Sequence, residues 1–179
     1  NKLSQQLIDC LNTSPVNYGR VLELSRKISL LDEENVRFFV DASHISRLGR
    51  ELVVKKETAV SELIKNAYDA DATQVTLTFE NAEQAGGRLT IEDDGHGMDR
   101  DEVVAGFMRL STTTKLHESI SPKYHRQRAG RKGIGRFAAQ RLGKYLTIVT
   151  QTKKAPSALR ITFDWNKFAA DTELFSIAN

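Results

Sequence analysis

A change of hydrophobic periodicity near residue 70 constrains the fold more than any other feature of this 179-residue chain. Over about residues 58–70 the apolar side chains recur at the spacing of a helix. They then alternate with polar ones over residues 75–79 and 89–91, and Gly86-Gly87 supplies a turn between the two runs. The sequence therefore predicts a helix that leads into an antiparallel hairpin.

The same two periodicities assign most of the remaining chain. Asp99 and Glu102 form a capping-box pattern that predicts a helix through Met108. The other elements assigned in this way are helices within residues 3–52 and at 134–142, and strands at 145–152 and 158–165. Together they predict an α/β (α+β) two-layer sandwich, with a mixed or antiparallel sheet and helices on one face.

The length allows one domain with its own core. We predict an N-terminal helical extension at residues 1–40 and a main domain at residues 41–179. Because the chain begins at Asn1 and not at an initiator Met, we expect a fragment of a longer protein. The main domain is expected to be truncated at its C-terminal end.

The composition is that of a folded globular domain and excludes several other classes. Hydrophobic residues make up 40% and charged residues 27%, which is far from a disordered composition. No apolar run approaches the roughly 18 residues of a membrane span. Cys10, the one cysteine, excludes an internal disulfide and a cysteine-based zinc site. We therefore expect a reducing compartment, either the cytoplasm or, in a eukaryote, the nucleus.

Positive charge is concentrated in one segment, although the net charge is only +3. Residues 111–136 contain one acidic residue, Glu118, among seven basic ones. These are Lys115, Lys123, Arg126, Arg128, Arg131, Lys132 and Arg136. The polar composition and Pro122 predict a long loop at residues 111–132. We expect an anionic ligand to contact this segment.

Three polar residues form a stripe along the helix predicted at residues 58–70. Glu62, Asn66 and Asp69 follow one another at i, i+4 and i+7 and therefore share a face. The carboxylate of Glu62 suits the polarisation of a water molecule, and the amide oxygen of Asn66 suits Mg²⁺. An ordinary solvated helix face is the alternative interpretation.

The second hairpin strand runs into an acidic and glycine-rich loop. Asp93 shares the parity of the apolar residues of this strand, so the alternation predicts that it points toward the core. Gly95 and Gly97 allow a tight turn and the close approach of a flat ligand. A carboxylate that accepts from an exocyclic amine, beside such a slot, suits adenine. His96 is interpreted as a loop residue.

A glycine-rich run at residues 130–135 precedes a predicted helix, so its N–H groups and the helix N-terminus predict an anion site. The P-loop pattern is excluded, because Gly135 is followed by Arg136 and Phe137 and not by Lys with Ser or Thr. The dinucleotide-binding pattern also fails, because a basic loop and not a strand precedes the run.

Three motifs, in this order, resemble those of the GHKL ATPases, which include DNA gyrase B, the large heat-shock chaperone, histidine kinases and MutL. The first is Glu62–Ala70, the second Asp93–Met98 and the third Gly130–Gly135. The resemblance covers about residues 41–165 and is closest to chaperone-like and MORC-like ATP-binding domains. It implies the Bergerat-type ATP-binding fold.

The resemblance also implies roles for individual residues. Glu62 would be the general base of ATP hydrolysis, Asn66 the Mg²⁺ ligand and Asp93 the adenine contact. The implied nucleotide-binding residues are Asn66, Asp69, Asp93, Gly95, Gly97, Met98, Thr113, Lys115, Gly130, Lys132, Gly133, Ile134 and Gly135. ATP and Mg²⁺ are the implied cofactors. Residues 111–115 are similar to the start of the ATP lid of relatives, so the loop at 111–132 is expected to be a lid that orders with ATP.

Three functions remain open. The first is an ATPase that hydrolyses ATP slowly and acts as a conformational and dimerisation switch, with DNA or a protein client as a partner of the full-length protein and no membrane partner. The second is the catalytic domain of a histidine kinase, and the third a nucleic-acid-binding module that uses residues 111–136. Glu62 favours the first, because the matching motif of the kinases generally lacks it. His44 lacks the following acid that is usual for a phospho-acceptor.

Two departures from the family pattern limit the resemblance. Chaperone-like members place a Thr on a late strand near the adenine, and no segment before Asn179 is matched to it. Residues 1–40 also have no counterpart, and an added brace, a dimer strap and part of a neighbouring domain are the interpretations left open.

Overall fold

The computed structural model describes residues 2–33, 40–52, 55–108, 119–129, 135–168, 174 and 177. The chain forms two compact units. The first unit combines Asn1–His44 with Lys167–Asn179, and the second is Ile45–Asn166. The division into residues 1–40 and 41–179 stays a prediction.

The first unit contains the two helices predicted at the N-terminus. Helix α1 is Lys2–Leu11 and helix α2 is Tyr18–Ser29. The side chain of Asn17 accepts a hydrogen bond from the N–H of Arg20 at 3.0 Å, which caps the start of α2. Leu24, on the apolar face of α2, is buried.

Two helices begin the part of the chain that carries the predicted motifs. Helix α3 is Ser43–Leu52 and helix α4 is Lys56–Asp69, where the periodicity predicted a helix. Ala59 of α4 is fully buried against Ala138. Because both side chains are small, α4 and the 3₁₀ helix Gly135–Arg141 can approach closely.

The described strands form two antiparallel pairs. Strands β1 (Val75–Glu80) and β2 (Arg88–Asp93) form the predicted hairpin, and strands β3 (Tyr145–Thr150) and β4 (Leu159–Asp164) form the second. In the hairpin Val75 lies opposite Asp93. Gly86 supplies a left-handed residue, with φ of 89°, to the turn. The combination of small antiparallel sheets and helices confirms the predicted fold class.

Two predicted helices are present but are not wound as α-helices along their whole length. The first ends in a π-helical turn, and the second, Gly135–Arg141, is a 3₁₀ helix. Asp99 and Glu102 form the predicted capping box, with reciprocal side-chain to backbone hydrogen bonds of 2.8 Å. Helix α5 (Arg100–Val103) follows and continues as a π-helical turn at Val104–Met108. Apolar spacing distinguishes a helix from a strand but does not distinguish these windings, which differ by about one residue per turn. Among the described residues, no helix has the length and apolar character needed to cross a bilayer.

Candidate functional site

The polar stripe of helix α4 is partly withdrawn from solvent. Glu62 and Asn66 are half-buried, and Asp69 is 6% exposed. The Nζ atom of Lys65 lies 2.8 Å from Oε1 of Glu62, whose side chain is 25% exposed. An ordinary solvated face would leave all three side chains in water. The stripe is therefore withdrawn from water to different degrees, most completely at Asp69.

Asp69 holds the chain immediately before the third motif. Its Oδ1 accepts a hydrogen bond from the N–H of Ala129 at 2.7 Å. A buried carboxylate needs strong donors, and this backbone group is one of them. Whether Asp69 also contacts a nucleotide, as the resemblance implies, stays a prediction.

Asp93 lies at the end of β2 and is exposed, so the prediction that it points into the core was wrong. Alternation gives the face of the sheet that a residue occupies, but burial also requires a second layer over that face, and the chain leaves the sheet at this residue. The Oδ1 atom of Asp93 accepts a hydrogen bond from the N–H of Gly95 at 2.9 Å. The carboxylate is thereby oriented by its own loop.

The two glycines of the second motif are required by close backbone contacts. A Cβ atom on Gly95 would lie 2.8 Å from the carbonyl oxygen of Ala70, at the end of α4. Gly97 has φ of 72°, and a Cβ atom there would lie 2.7 Å from the carbonyl carbon of Gln151. Both positions therefore exclude a side chain because the protein's own backbone lies close to them. The predicted close approach of a flat ligand stays a prediction.

A backbone hydrogen bond joins the first two motifs. The N–H of His96 donates to the carbonyl oxygen of Ala70 at 3.0 Å. The imidazole Nδ1 lies 2.7 Å from the carbonyl oxygen of Gly97, so the side chain of His96 contacts the backbone of its own loop. The helix that carries Glu62 and Asn66 is thereby fastened to the loop that carries Asp93.

Asp94 forms a second connection, between the second motif and the residues that join α4 to β1. Its Oδ1 accepts from the N–H groups of Thr73 and Gln74 at 2.6 and 2.8 Å, and its Oδ2 accepts from the hydroxyl of Thr73. These hydrogen bonds, with that from the Thr73 hydroxyl the largest, lower the pKa of Asp94 from 3.8 to about 2. Asp94 therefore stabilises the connection as a carboxylate.

This lowered pKa predicts a pH dependence of stability. The contribution of Asp94 is complete above its ordinary pKa of 3.8 and is lost as the pH falls toward about 2. The difference in free energy of unfolding between wild type and Asp94→Asn should therefore shrink between about pH 5 and pH 2 in urea titrations. The exposed Asp101, replaced in the same way, is the control. An Asp94→Asn difference that is independent of pH would contradict the assignment.

Sequence reasoning missed Thr150, at the end of β3. Its hydroxyl oxygen accepts a hydrogen bond from the N–H of Met98 at 2.8 Å, across 52 positions of the chain. Thr150 therefore fixes the last residue of the second motif to the other pair of strands. Strand alternation with Leu146 and Ile148 placed Thr150 on a part-buried face, but local pattern does not indicate the distant partner.

Residues 54–178, more than half of the chain, match the family model described as histidine kinase-, DNA gyrase B- and HSP90-like ATPase. The chain belongs to this ATPase family. It is a GHKL-type ATPase domain, and the domains of this family bind ATP. The predicted recognition is confirmed, whereas the closer likeness to MORC-like members stays a prediction.

Several curated relatives are DNA mismatch repair proteins MutL. The protein of Acidiphilium cryptum is 29% identical over 128 residues, which cover 70% of this chain and 21% of the relative. The protein of Methanocorpusculum labreanum is 31% identical over 87 residues, or 49% of this chain and 13% of the relative. The protein of Xylella fastidiosa is 42% identical over 64 residues, which cover 35% of this chain and 10% of the relative. The chain thus spans far less than two thirds of the length of these relatives.

The third motif of the ATPase domain is described only at its end. Thr113, Lys115, Gly130, Lys132, Gly133 and Ile134 lie outside the described residues. Gly135 begins the 3₁₀ helix that packs against α4, the helix of Glu62 and Asn66. The predicted phosphate-binding role of the motif stays a prediction.

Part of the long loop predicted at residues 111–132 forms a hydrogen-bonded turn in the ATPase domain. Within Ser119–Ala129 the N–H of Ser121 donates to the carbonyl oxygen of Arg126 at 2.9 Å, and the N–H of Arg128 to that of Ser119 at 2.8 Å. His125, with φ of 52°, lies in the turn between them. These residues are therefore a loop, as predicted, but a loop held by its own hydrogen bonds and by partners distant in sequence. Whether the loop as a whole orders with ATP stays a prediction.

Proposed function

We propose that this ATPase domain binds ATP together with Mg²⁺ and hydrolyses it slowly, as a conformational and dimerisation switch of a larger protein. One observation carries the proposal. The hydrogen bond from His96 to the carbonyl oxygen of Ala70 joins the helix of Glu62 and Asn66 to the loop of Asp93. Groups suited to hydrolysis and to adenine recognition therefore belong to one folded unit.

The chemistry of each group supports its proposed role. Asp93, exposed and oriented by Gly95, presents an acceptor to the exocyclic amine of adenine. Gly95 and Gly97, which follow it in the second motif, would form the floor of the adenine slot, and Met98 would form its wall. Glu62 would accept a proton from the attacking water. Its carboxylate is half-buried and lies 2.8 Å from the Nζ atom of Lys65.

The donors near α4 fit Mg²⁺ better than a cation that needs several side-chain ligands. Among the described residues, no three His, Cys, Asp or Glu side chains converge on one point. Mg²⁺ commonly takes few protein ligands and completes its shell with phosphate oxygens and water. The amide oxygen of Asn66 would be such a ligand. The bound cation would supply charge neutralisation for the phosphates.

The basic charge of the described loop segment is partly used within the domain, which disfavours a nucleic-acid-binding module. The guanidinium of Arg126 donates to the carbonyl oxygen of Ala72 at 2.6 Å and lies 4.9 Å from the centre of the Tyr68 ring. We propose that DNA or a protein client is bound by other parts of the larger protein. Several relatives are named DNA mismatch repair proteins, which supports DNA as one such partner.

Calorimetric titration of the 179-residue chain with ATP tests the proposal. We expect binding in the presence of Mg²⁺ and weaker binding when the cation is removed by a chelator. Release of inorganic phosphate should be slow, and size-exclusion chromatography with a non-hydrolysable ATP analogue should report a dimer if the switch includes dimerisation. No binding of ATP by the folded chain would contradict the proposal.

Replacement of Asn66 by Ala tests the proposed Mg²⁺ ligand. We expect the affinity for ATP with Mg²⁺ to fall by at least about tenfold, since even the outer partners of a bound metal typically contribute 10–100-fold. The affinity for ATP without Mg²⁺ should stay close to that of the wild type. Asn12→Ala, in the connection after α1, is the matched control. Equal Mg²⁺ dependence in Asn66→Ala and wild type would exclude Asn66 as a ligand.

A further inference from the structure

Asp71, two residues beyond α4, is a buried carboxylate in an uncommon backbone conformation. It is 3% exposed and has φ of 61°. Residues other than glycine rarely adopt positive φ, although Asp tolerates it better than most. A buried charge costs free energy unless it is met by strong donors. The donors around Asp71 therefore indicate which part of the chain this residue stabilises.

Among the described residues, the donors to the Asp71 carboxylate belong to one distant segment. The hydroxyl of Ser121 donates to Oδ1 at 2.5 Å, the N–H of Lys123 to Oδ2 at 2.8 Å, and the N–H of Tyr124 to Oδ1 at 3.2 Å. Ser121 is itself 1% exposed, and its Oγ accepts the N–H of Arg126 at 2.9 Å. Burial raises the pKa of Asp71, but these hydrogen bonds outweigh it and hold the pKa below its ordinary value.

Two further contacts attach the same segment, Ser119–Ala129, which we call the clamp segment. Arg126 donates to the carbonyl oxygen of Ala72, and its guanidinium lies 4.8 Å from the centre of the Tyr124 ring. At the end of the segment, the N–H of Ala129 donates to Asp69. The clamp segment is thus attached to residue 69, the last of the helix that carries Glu62 and Asn66, and to residues 71 and 72 just after it.

We propose that Asp71 is a positioning residue of the nucleotide site, which holds the clamp segment against the end of α4 and so sets where the chain enters the glycine-rich third motif. This inference rests on the proposed function. Ala129 directly precedes Gly130 in the sequence, and Asp69 lies one helical turn after Asn66. Without the attachment, ATP binding would have to order the clamp segment and would be weakened by that cost.

The test compares Asp71→Asn with Asp164→Asn in the full chain, by titration with ATP and with adenosine. Asp164 is a matched control because it also accepts a backbone N–H, that of Asn166, at 3.0 Å. We expect Asp71→Asn to bind ATP about tenfold more weakly, the typical cost of losing a hydrogen bond to a charged group. Adenosine, which lacks phosphates, should bind both variants and the wild type equally. A general loss of structure would weaken both ligands together.

Limited trypsin digestion without nucleotide tests the clamp independently of ATP. Lys123, Arg126 and Arg128 lie in the clamp segment, and we expect slow cleavage there in the wild type and in Asp164→Asn, and about tenfold faster cleavage in Asp71→Asn. If Asp71→Asn does not fold, Ser121→Ala removes one of the same hydrogen bonds and should give a smaller effect of the same kind.

The outcomes separate the positioning role from the proposed function. A wild-type chain that binds no ATP would overturn the proposed function and the positioning role with it. A wild-type chain that binds ATP, with unchanged ATP affinity in the folded Asp71→Asn variant, would overturn the positioning role alone. An equal loss of ATP and adenosine affinity, or unchanged trypsin cleavage, would also overturn it.

Discussion

Replacement of Glu62 by Ala is expected to leave ATP binding intact and to lower kcat by about 10²- to 10⁴-fold, the contribution of a positioned general base. Glu62 is half-buried on α4, one helical turn before Asn66, and Lys65 holds its carboxylate at 2.8 Å. The expected loss is confined to turnover, because the carboxylate would act on the attacking water and not on the nucleotide. Phosphate release at saturating ATP, with the ATP dissociation constant measured beside it, separates the two effects.

Two variants control this experiment. Glu57→Ala removes an exposed carboxylate from the first turn of the same helix and should retain the wild-type kcat. Glu62→Gln keeps the shape of the side chain but removes its basicity, and should therefore be as slow as Glu62→Ala. Wild-type turnover in Glu62→Ala would show that this residue only belongs to a polar helix face. The ion pair with Lys65 is partly exposed and contributes little to stability, so all three variants should fold.

Sequence reasoning predicted the features that depend on neighbouring residues. The capping box of Asp99 and Glu102 involves residues three positions apart, and its pattern of residue types is visible in the sequence. The hairpin was predicted because its two alternating strands and the paired glycines of its turn all lie between Val75 and Asp93. The same holds for Gly95 and Gly97, whose lack of a side chain indicates a close approach before the approaching group is known.

The features that sequence reasoning missed depend on partners far apart in the chain. Asp71 and Ser121 are separated by 50 positions, and Met98 and Thr150 by 52. No periodicity in either segment indicates the other, so the sequence predicted a loop at residues 111–132 but not the contacts that hold the clamp segment. The basic charge of this segment was interpreted as a surface for an anion, whereas Arg126 is used within the domain.

The burial of Asp93 was predicted wrongly for a related reason. Strand parity indicates which face of a sheet a residue occupies, but burial depends on what covers that face. Asp93 is the last residue of β2, and its carboxylate is exposed beside Gly95. The correction strengthens the proposed role, because an exposed and oriented acceptor can meet a ligand without first breaking internal contacts.

Replacement of Asp93 by Asn is therefore expected to lower the affinity for ATP by at least about a hundredfold, since a site built to hydrogen-bond its ligand strongly rejects a mismatched partner. The amide oxygen of Asn can keep the hydrogen bond from the N–H of Gly95. Its NH₂ group would then face the exocyclic amine of adenine, so that two donors meet. Calorimetric titration with ATP and with adenosine should show similar losses, because both ligands carry the same base.

This equal loss for both ligands distinguishes an adenine contact from the positioning role of Asp71, for which only ATP should be affected. Asp101→Asn, which removes an exposed carboxylate from α5, is the matched control. This variant should bind both ligands as the wild type does. Thermal unfolding of Asp93→Asn should stay close to that of the wild type, since the residue is exposed and its loop contact is retained. Unchanged ATP affinity in a folded Asp93→Asn variant would show that Asp93 does not contact adenine. The proposal that one ATP molecule is bound by Asp93, Glu62 and Asn66 together would then fail.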